Sequence, residues 1–418
     1  MTTFRRADIL LPQNCDMTKW SVVACDQFSS QPEYWAALEN QCAGVPSTLH
    51  LMLPEAYLEH RDQFAAAEEI NAEMQRYLDD GVFRTLEDSY IYVERTLQNG
   101  AVRRGLVGVL DLEDYDYSPN SASPIRATEA TVENRLPPRV RVREGAALEM
   151  PHIMVFIDDD QDTVMGCASE LKDGLPCVYD FTLSAGGGRI RGWQVSGKAA
   201  DAVDAVIDRL ADRNALHEKY GDAAPAVFAM GDGNHSLATA KKCWEMLKPK
   251  LSEAERESHP ARFSMVEIVN IHDAAITFEP IHKVVFGTDA ADFLKKAEEW
   301  FAPHLTDGDG THVIRVLTAE GEKRLILNGF TIGRLIGSAE EFCQTYMAEH
   351  GGTIDYIHND DTAERMGRGS GCGAILLPKM EKSELFSSVI SSGIFPKKSF
   401  SIGHAEDKRY YLECRRIK

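Results

Sequence analysis

The segment Gly231–Ser236 (GDGNHS) brings together residue types that do chemistry. Asp232 offers a carboxylate that can hold a metal ion or accept a proton, and His235 offers a ring that exchanges protons near neutral pH. The two glycines allow tight backbone geometry, and the two remaining polar side chains offer hydrogen bonds. These other positions of the segment are Gly231, Gly233, Asn234 and Ser236.

The segment lies between a predicted strand and a predicted helix. Pro225–Met230 is short and apolar, as a central strand is, and His235–Leu247 carries apolar residues at helical spacing. The first N–H groups of a helix lack helical partners, and the helix dipole adds partial positive charge, so this arrangement suits a phosphate. An ordinary turn in which Asp232 and Asn234 serve only as caps fits the local residues equally well. The local sequence leaves both interpretations open.

Composition limits the classes of protein to which the chain belongs. A length of 418 residues predicts two domains, which we place at 1–286 and 287–418. The net charge of −20 disfavours binding to nucleic acid. No apolar run is long enough to cross a bilayer, and the N-terminus lacks the pattern of a signal peptide. We therefore expect a cytoplasmic protein that binds neither membrane nor nucleic acid.

Cysteine and histidine spacing disfavours two common classes of site. The nine cysteines are widely spaced without any CxxC pair, and the thirteen histidines show no HxH or HExxH pattern, so no zinc site is expected. No GxGxxG segment follows a predicted strand, so no NAD site is expected.

The remaining patterns predict a mixed α/β fold. Asn99-Gly100 between two apolar runs predicts a hairpin, and Ala199–Leu216 predicts one amphipathic helix. Phe263–Ile271 and Ala275–Phe278 are predicted to pair as antiparallel strands, and Ser338–Glu341 (SAEE) is predicted to open a helix. The basic C-terminal tail is predicted to be a solvated pair of strands.

The segment Gly231–Ser236 and the residues after it also resemble the hallmark of a bacterial and archaeal family, domain of unknown function 1015. That hallmark is A-D-G-H-H-R-Y-x-x-A at a strand-to-helix turn. Asn234 replaces its first histidine, and Ser236 replaces its arginine. Four positions match it, namely Asp232, Gly233, His235 and Ala240.

Three further segments resemble the family's motifs in order and spacing. Arg126–Glu129 (RATE) resembles an R-x-H-E segment, and Arg135 lies just beyond it. Pro280–Lys283 (PIHK) resembles P-x-H-R, and Pro396–Ser399 (PKKS) resembles P-x-K-S. The resemblance therefore extends over most of the chain.

The resemblance implies a fold and a set of roles. The family's turn is similar to that of ParB-like nucleotide-binding proteins and free-serine kinases, which implies a mixed-sheet core of that kind with a second, C-terminal α/β domain. Asp232 and His235 would face phosphate or Mg²⁺, with Asp232 as the metal ligand, and Glu129 would be the base. Because Ser236 lacks the arginine's charge, other residues must supply it. The implied phosphate-binding residues outside the turn are Arg126, Arg135, His282 and Lys283.

Together these expectations favour a nucleotide-dependent phosphotransferase that uses Mg²⁺ with ATP, ADP or CTP and acts on a small-molecule substrate. A non-catalytic regulatory protein that binds a nucleotide or another metabolite is the alternative. A homodimer is an assembly that the sequence allows.

Overall fold

The computed structural model describes residues 3–131, 133, 136–151, 153–222, 224–403, 408 and 410–418. The strands in these ranges are β1 (Phe4–Arg5), β2 (Ala7–Pro12), β3 (Val22–Val23), β4 (Phe83–Thr96), β5 (Val102–Asp111), β6 (Tyr115–Asp116), β7 (Ile125–Arg126), β8 (Leu148–Glu149), β9 (Met154–Ile157), β10 (Cys177–Thr182), β11 (Arg189–Val195), β12 (Phe228–Asp232), β13 (Phe263–Asn270), β14 (Phe278–Pro280), β15 (His282–Phe286), β16 (His312–Thr318), β17 (Gly321–Leu327), β18 (Thr353–Ile357), β19 (Cys372–Leu376), β20 (Phe400–Ile402), β21 (Tyr410–Tyr411) and β22 (Arg415–Arg416).

The α-helices of the described ranges are α1 (Met17–Trp20), α2 (Pro32–Cys42), α3 (Gln63–Asp79), α4 (Leu136–Gly145), α5 (Thr163–Leu171), α6 (Gly197–Leu210), α7 (Arg213–Tyr220), α8 (Asn234–Leu247), α9 (Glu253–Ser258), α10 (Ala290–Phe301), α11 (Ile332–His350), α12 (Asp360–Gly367) and α13 (Glu384–Ser392). The predicted mixed α/β class is confirmed. None of these helices is both long enough and apolar enough to cross a membrane.

The main sheet has the strand order β10-β11-β4-β5-β13-β9-β12-β7-β6. It is mixed, because β9 runs parallel to β13 but antiparallel to β12. Strands β9 and β13 are buried along their whole length, which suits the continuous apolar run of β9, while β13 also buries Ser264, Glu267 and Asn270. The predicted hairpin is confirmed as the antiparallel pair β4–β5, and Gly100 turns the chain with a φ of 83° that favours glycine.

A second sheet has the order β17-β16-β19-β15-β18 and packs against helices of the C-terminal half. Strand β15 already belongs to it, so the predicted boundary at residue 286 lies at the end of a strand of the second sheet. The chain then returns to the first part. Strand β21 pairs with β3, and β22 pairs with β8.

This return overturns the prediction that the C-terminal tail is a solvated strand pair. Its strands pair with separate strands near the beginning and middle of the chain, and Leu412 and Cys414 are buried in the core of the first part. The tail thereby closes the first part instead of standing beside it in solvent.

Three other local predictions were wrong for identifiable reasons. The helix predicted over Ala199–Leu216 breaks into α6 and α7, because the Asp212 side chain accepts the N–H groups of Asn214 and Ala215 and starts a new helix. Strand β13 does not pair with β14, since β5 and β9 occupy both of its edges. Ser338 lies inside α11, whose N-cap is Thr331.

Candidate functional site

The turn between β12 and α8 is built by its two glycines. A register shift between Met230 and Asp232 interrupts the pairing of β12 with β9. A Cβ atom at Gly231 would lie 2.9 Å from a ring carbon of Phe156, which is too close for any larger residue. Gly233 has a φ of 84°, a left-handed conformation that other residues rarely adopt. These two positions direct the chain from the sheet into α8.

The first turn of α8 presents its backbone to a cavity. Its N-cap is Gly233, and no side chain caps it. The leading N–H groups of a helix have no partners within the helix, and they carry the positive end of its dipole. Residues Asn234, His235 and Ser236 line a cavity of about 170 Å³ together with the carboxylates Asp26 and Asp232. The helix N-terminus suits a bound anion, whereas the carboxylates of the wall oppose one unless a cation accompanies it.

Asp232 is paired on both of its oxygens. Its Oδ1 accepts the N–H of Gly233 at 2.8 Å, and its Oδ2 lies 3.1 Å from Nζ of Lys408. The charge of Asp232 raises the pKa of the Lys408 ammonium above its ordinary value, although burial acts against this. Lys408 therefore stays charged beside Asp232, although it lines a separate small cavity and not the polar one.

Glu129 lies beside this pair and also lines the cavity. Its backbone is held by its neighbour Thr128, whose hydroxyl donates to the carbonyl of Met230 and whose carbonyl accepts the N–H of Phe395. Burial, followed by the negative charge of Asp232, raises the pKa of Glu129 to about 7, while Lys408 acts in the opposite direction. A carboxyl group that titrates near neutral pH is suited to proton transfer in either direction.

Arg139 on α4 forms the wall between the polar cavity and a second cavity. Its guanidinium is paired with Glu55. The second cavity, of about 160 Å³, also includes Ser236 and Thr239 of α8 in its wall. Its wall is mainly apolar, so two spaces of opposite character meet at the start of α8.

The structure places several predicted residues away from this cavity. Arg126 is buried at the end of β7, where its guanidinium donates to the carbonyls of Ser123 and Ala224. Arg126 therefore holds local backbone and does not line the cavity. Arg135 lies outside the described residues.

His282 and Lys283 lie on β15 of the second sheet. His282 is buried, where its Nδ1 accepts the N–H of Leu377 and its Nε2 lies 2.8 Å from Asp360. The Nζ of Lys283 donates to Glu340 at 2.5 Å. The carboxylate partners of both side chains lie on helices packed against the second sheet, and neither side chain lines the cavity at the turn.

Reasoning from the sequence missed three residues that the fold brings to the turn. Lys408 comes from the returning C-terminal tail, Arg139 from α4, and Asp26 from the loop after β3. The only signal for Lys408 was its place in a basic stretch. Nothing in the spacing of these residues relates them to Asp232, because they are distant in sequence and are assembled by tertiary structure.

A resident metal site is not formed by side chains alone. In the described ranges, no group of three or more histidine, cysteine, aspartate or glutamate side chains is close enough to hold a metal ion. Mg²⁺ bound to nucleotides commonly takes one or two carboxylates and completes its shell with phosphate and water. Asp232 and Asp26 line the same cavity, so they would be the carboxylates nearest to such an ion, although Asp232 is already paired with Lys408 and the N–H of Gly233.

Comparison with known proteins gives a family match and some distant structural likenesses. The family model described as "Protein of unknown function (DUF1015)" matches residues 9–370. No curated protein matches the chain.

Three solved structures show distant likeness. A free serine kinase in complex with AMP has a TM-score of 0.36 and 10% identity, over 74% of this chain and 90% of that one. SbnI from Staphylococcus aureus has a TM-score of 0.36 and 8% identity, over 71% and 82%. A conserved hypothetical protein from Pyrococcus furiosus has a TM-score of 0.34 and 10% identity, over 74% and 94%. At such low similarity, the ligand of the kinase remains a property of the kinase.

Proposed function

The chain belongs to the family of proteins of unknown function DUF1015, and we propose that it is a nucleotide-dependent phosphotransferase acting on a small molecule. One observation carries the proposal. Glu129, whose pKa is raised to about 7, faces the same cavity as the uncapped N-terminus of α8. Phosphoryl transfer needs an anion site and a nearby proton acceptor, and this cavity offers both.

The proposal assigns the phosphate group to the start of α8. The N–H groups of the first helical turn hold the phosphate oxygens. Lys408 supplies the positive charge that an arginine at position 236 would otherwise give, because its ammonium lies 3.1 Å from the carboxylate of Asp232, which lines the cavity. His235 lines the same cavity and adds a further contact to phosphate.

Glu129 acts as the base in this scheme. The acceptor oxygen forms its bond to phosphorus as the bond between phosphorus and the leaving nucleotide oxygen breaks, and Glu129 takes the acceptor proton. Asp232 holds Lys408 in place, and with Asp26 it would hold Mg²⁺ that arrives with the nucleotide. The ion would neutralise phosphate charge.

We propose ATP, ADP or CTP as the nucleotide and the cytoplasm as the location. All nine cysteines carry free thiols, which is the usual state in a reducing compartment. A regulatory protein that binds the same nucleotides without turnover is the alternative that the experiment below separates.

The first test measures nucleotide binding. Calorimetry and thermal shift are used with ATP, ADP and CTP, each with and without Mg²⁺. Nucleotide at one hundred times its Kd stabilises a protein by about 2.7 kcal/mol, which is a readily measured shift in Tm. Lys408→Met should weaken binding by about tenfold or more, because a charged hydrogen bond to phosphate is lost.

Lys398→Met is the matched control for that variant. Lys398 lies in the same C-terminal region, but its ammonium stacks on Tyr356, 4.6 Å from the ring centre, in the second sheet. If Lys408→Met and Lys398→Met bind nucleotide with equal affinity, the phosphate site does not lie at the α8 turn. Binding without transfer to a panel of hydroxyl acceptors would favour the regulatory protein.

A further inference from the structure

The second cavity lies directly against the proposed phosphate site, and we call it the apolar chamber. It shares the wall residues Arg139 and Ser236 with the polar cavity, so an acceptor that reaches Glu129 would extend into it by passing these two side chains. Its volume is about 160 Å³. Apolar cavities of about 150 Å³ bind benzene, so the chamber has room for one ring or a branched aliphatic group. Its wall is mainly apolar, including Leu51, Met52, Leu58, Met74, Val142 and Met150.

The charged side chains in the wall of the apolar chamber are paired with one another. Arg139 is paired with Glu55, and Arg143 lies 2.6 Å from Glu149. The carboxylate of Glu149 also forms an ion pair with the guanidinium of Arg415, at 2.6 Å between Oε1 and a guanidinium nitrogen. The chamber thus offers neither sign of charge to a ligand, and a charged group placed there would lose its water without gaining a partner.

Other polar groups of the wall are also engaged or neutral. Burial raises the pKa of the Cys25 thiol to about 11, so it is uncharged at neutral pH. The hydroxyl of Tyr411 accepts the N–H of Cys25, and the hydroxyl of Thr239 donates to the carbonyl of His235. A nucleobase would bury its polar edge here with few partners, whereas a hydrocarbon group needs none.

We propose that the apolar chamber binds the hydrocarbon part of the acceptor, so that the substrate is an alcohol carrying an aromatic or branched aliphatic group. The inference rests on the proposed function, because Glu129 receives the acceptor's hydroxyl proton. The three methionines of the wall are unbranched and polarisable, and they adapt to rings of differing shape. Polyols such as glycerol gain nothing from this space.

Benzyl alcohol is the probe for the chamber itself. With ¹³C-labelled methionine methyl groups, it should shift the NMR signals of Met52, Met74 and Met150 in a saturable manner. Val142→Phe fills the chamber and should abolish those shifts. Val140→Phe is the matched control, because Val140 lies on the same helix α4 but lines neither cavity. Val142→Leu adds less bulk and serves if Val142→Phe does not fold.

The outcomes separate this inference from the proposed function. If wild-type methyl signals do not move, or if Val142→Phe responds as strongly as wild type, the chamber is not the binding site. If ATP alone moves the same signals, the nucleobase occupies the chamber and the inference is overturned.

Turnover completes the test. With ATP and Mg²⁺, benzyl alcohol should be phosphorylated with a kcat/KM about tenfold or more above that of glycerol, and Val142→Phe should remove this preference. Equal kcat/KM for the two alcohols would overturn the assignment of acceptor. Saturable methyl shifts without any nucleotide binding would overturn the phosphotransferase and leave the chamber as a site for apolar alcohols.

Discussion

Two clusters of charged side chains, one beside each sheet, differ in how their charges balance. In the second sheet, Glu340 receives Lys283 at 2.5 Å and the hydroxyl of Tyr356 at 2.8 Å. Burial would raise the pKa of Glu340, but these hydrogen bonds hold it below its ordinary value. At the α8 turn, Asp232 has Lys408 while Glu129 adds a second negative charge, and the pKa of Glu129 rises to about 7.

The difference separates a structural cluster from a reactive one. Balanced charge in a packed interior removes the tendency of any member to exchange a proton. An excess of carboxylates around a cavity leaves one of them close to its titration point at neutral pH, where it can serve a reaction. The sequence motifs that contain Lys283 and Glu129 resemble the same family equally, so the motifs alone do not make this distinction.

The largest effect is expected from removing the base. Glu129→Gln keeps the shape of the side chain but cannot take a proton, and turnover should fall by about 10²- to 10⁴-fold. Glu340→Gln, measured on folded protein at low temperature, should keep kcat near that of wild type. Steady-state kinetics of both variants checks this, and a comparable loss in both would erase the functional distinction between the clusters.

Protein stability, unlike turnover, should depend strongly on the charge cluster of the second sheet. Lys283→Met leaves the half-buried Glu340 without its main partner, which should lower the free energy of unfolding by about 2–3 kcal/mol. Urea denaturation followed by circular dichroism measures this. The double variant Lys283→Met with Glu340→Leu should recover most of the loss, since it leaves no unpaired charge. Failure to recover would mean that the pair contributes more than charge balance.

The raised pKa of Glu129 makes its contribution to stability depend on pH. The folded protein keeps this proton up to about pH 7, whereas the unfolded chain releases it at the ordinary, lower value. Because the folded state binds more protons between those values, the stability contributed by Glu129 falls as pH rises through this window. Glu129→Gln should therefore be more stable than wild type at pH 8, by about 3 kcal/mol, and by much less at pH 5. Thermal unfolding at both pH values checks the sign.

The same group should set the pH profile of turnover. Activity should rise with pH through a midpoint near the pKa of Glu129, which is about 7, because the base must be ionised. Lys408→Met removes the charge that lowers this pKa, so its midpoint should move upward. Asp232→Asn should move it downward. If neither variant moves the midpoint of the pH profile, the titration belongs to a group other than Glu129.

The smallest effect is expected from Tyr356→Phe. It removes one hydrogen bond to Glu340 while Lys283 remains, so the loss in unfolding free energy should be about 1 kcal/mol. Chemical denaturation resolves a change of this size. Turnover should stay at the wild-type value, and a clear loss of activity would connect the second cluster to the reaction.

Local patterns determined the elements around the site. The apolar run before Gly231 and the helical spacing after it gave the strand and the helix, since burial periodicity is encoded within a few residues. Asn99-Gly100 gave the hairpin for the same reason. The motif resemblance identified the family, because it depends on the order of residues and not on their contacts.

Tertiary structure decided which charges meet at the turn. Lys408 reaches Asp232 because the C-terminal tail returns to pair with β3 and β8, and Arg126 faces backbone carbonyls because β7 is buried beside β12. The pKa of Glu129 depends on burial and on the charges of Asp232 and Lys408, which are far from it in sequence. Electrostatic energies follow distances in space, so the sequence by itself determined the residues and elements of the site, and only the fold decided their charge balance.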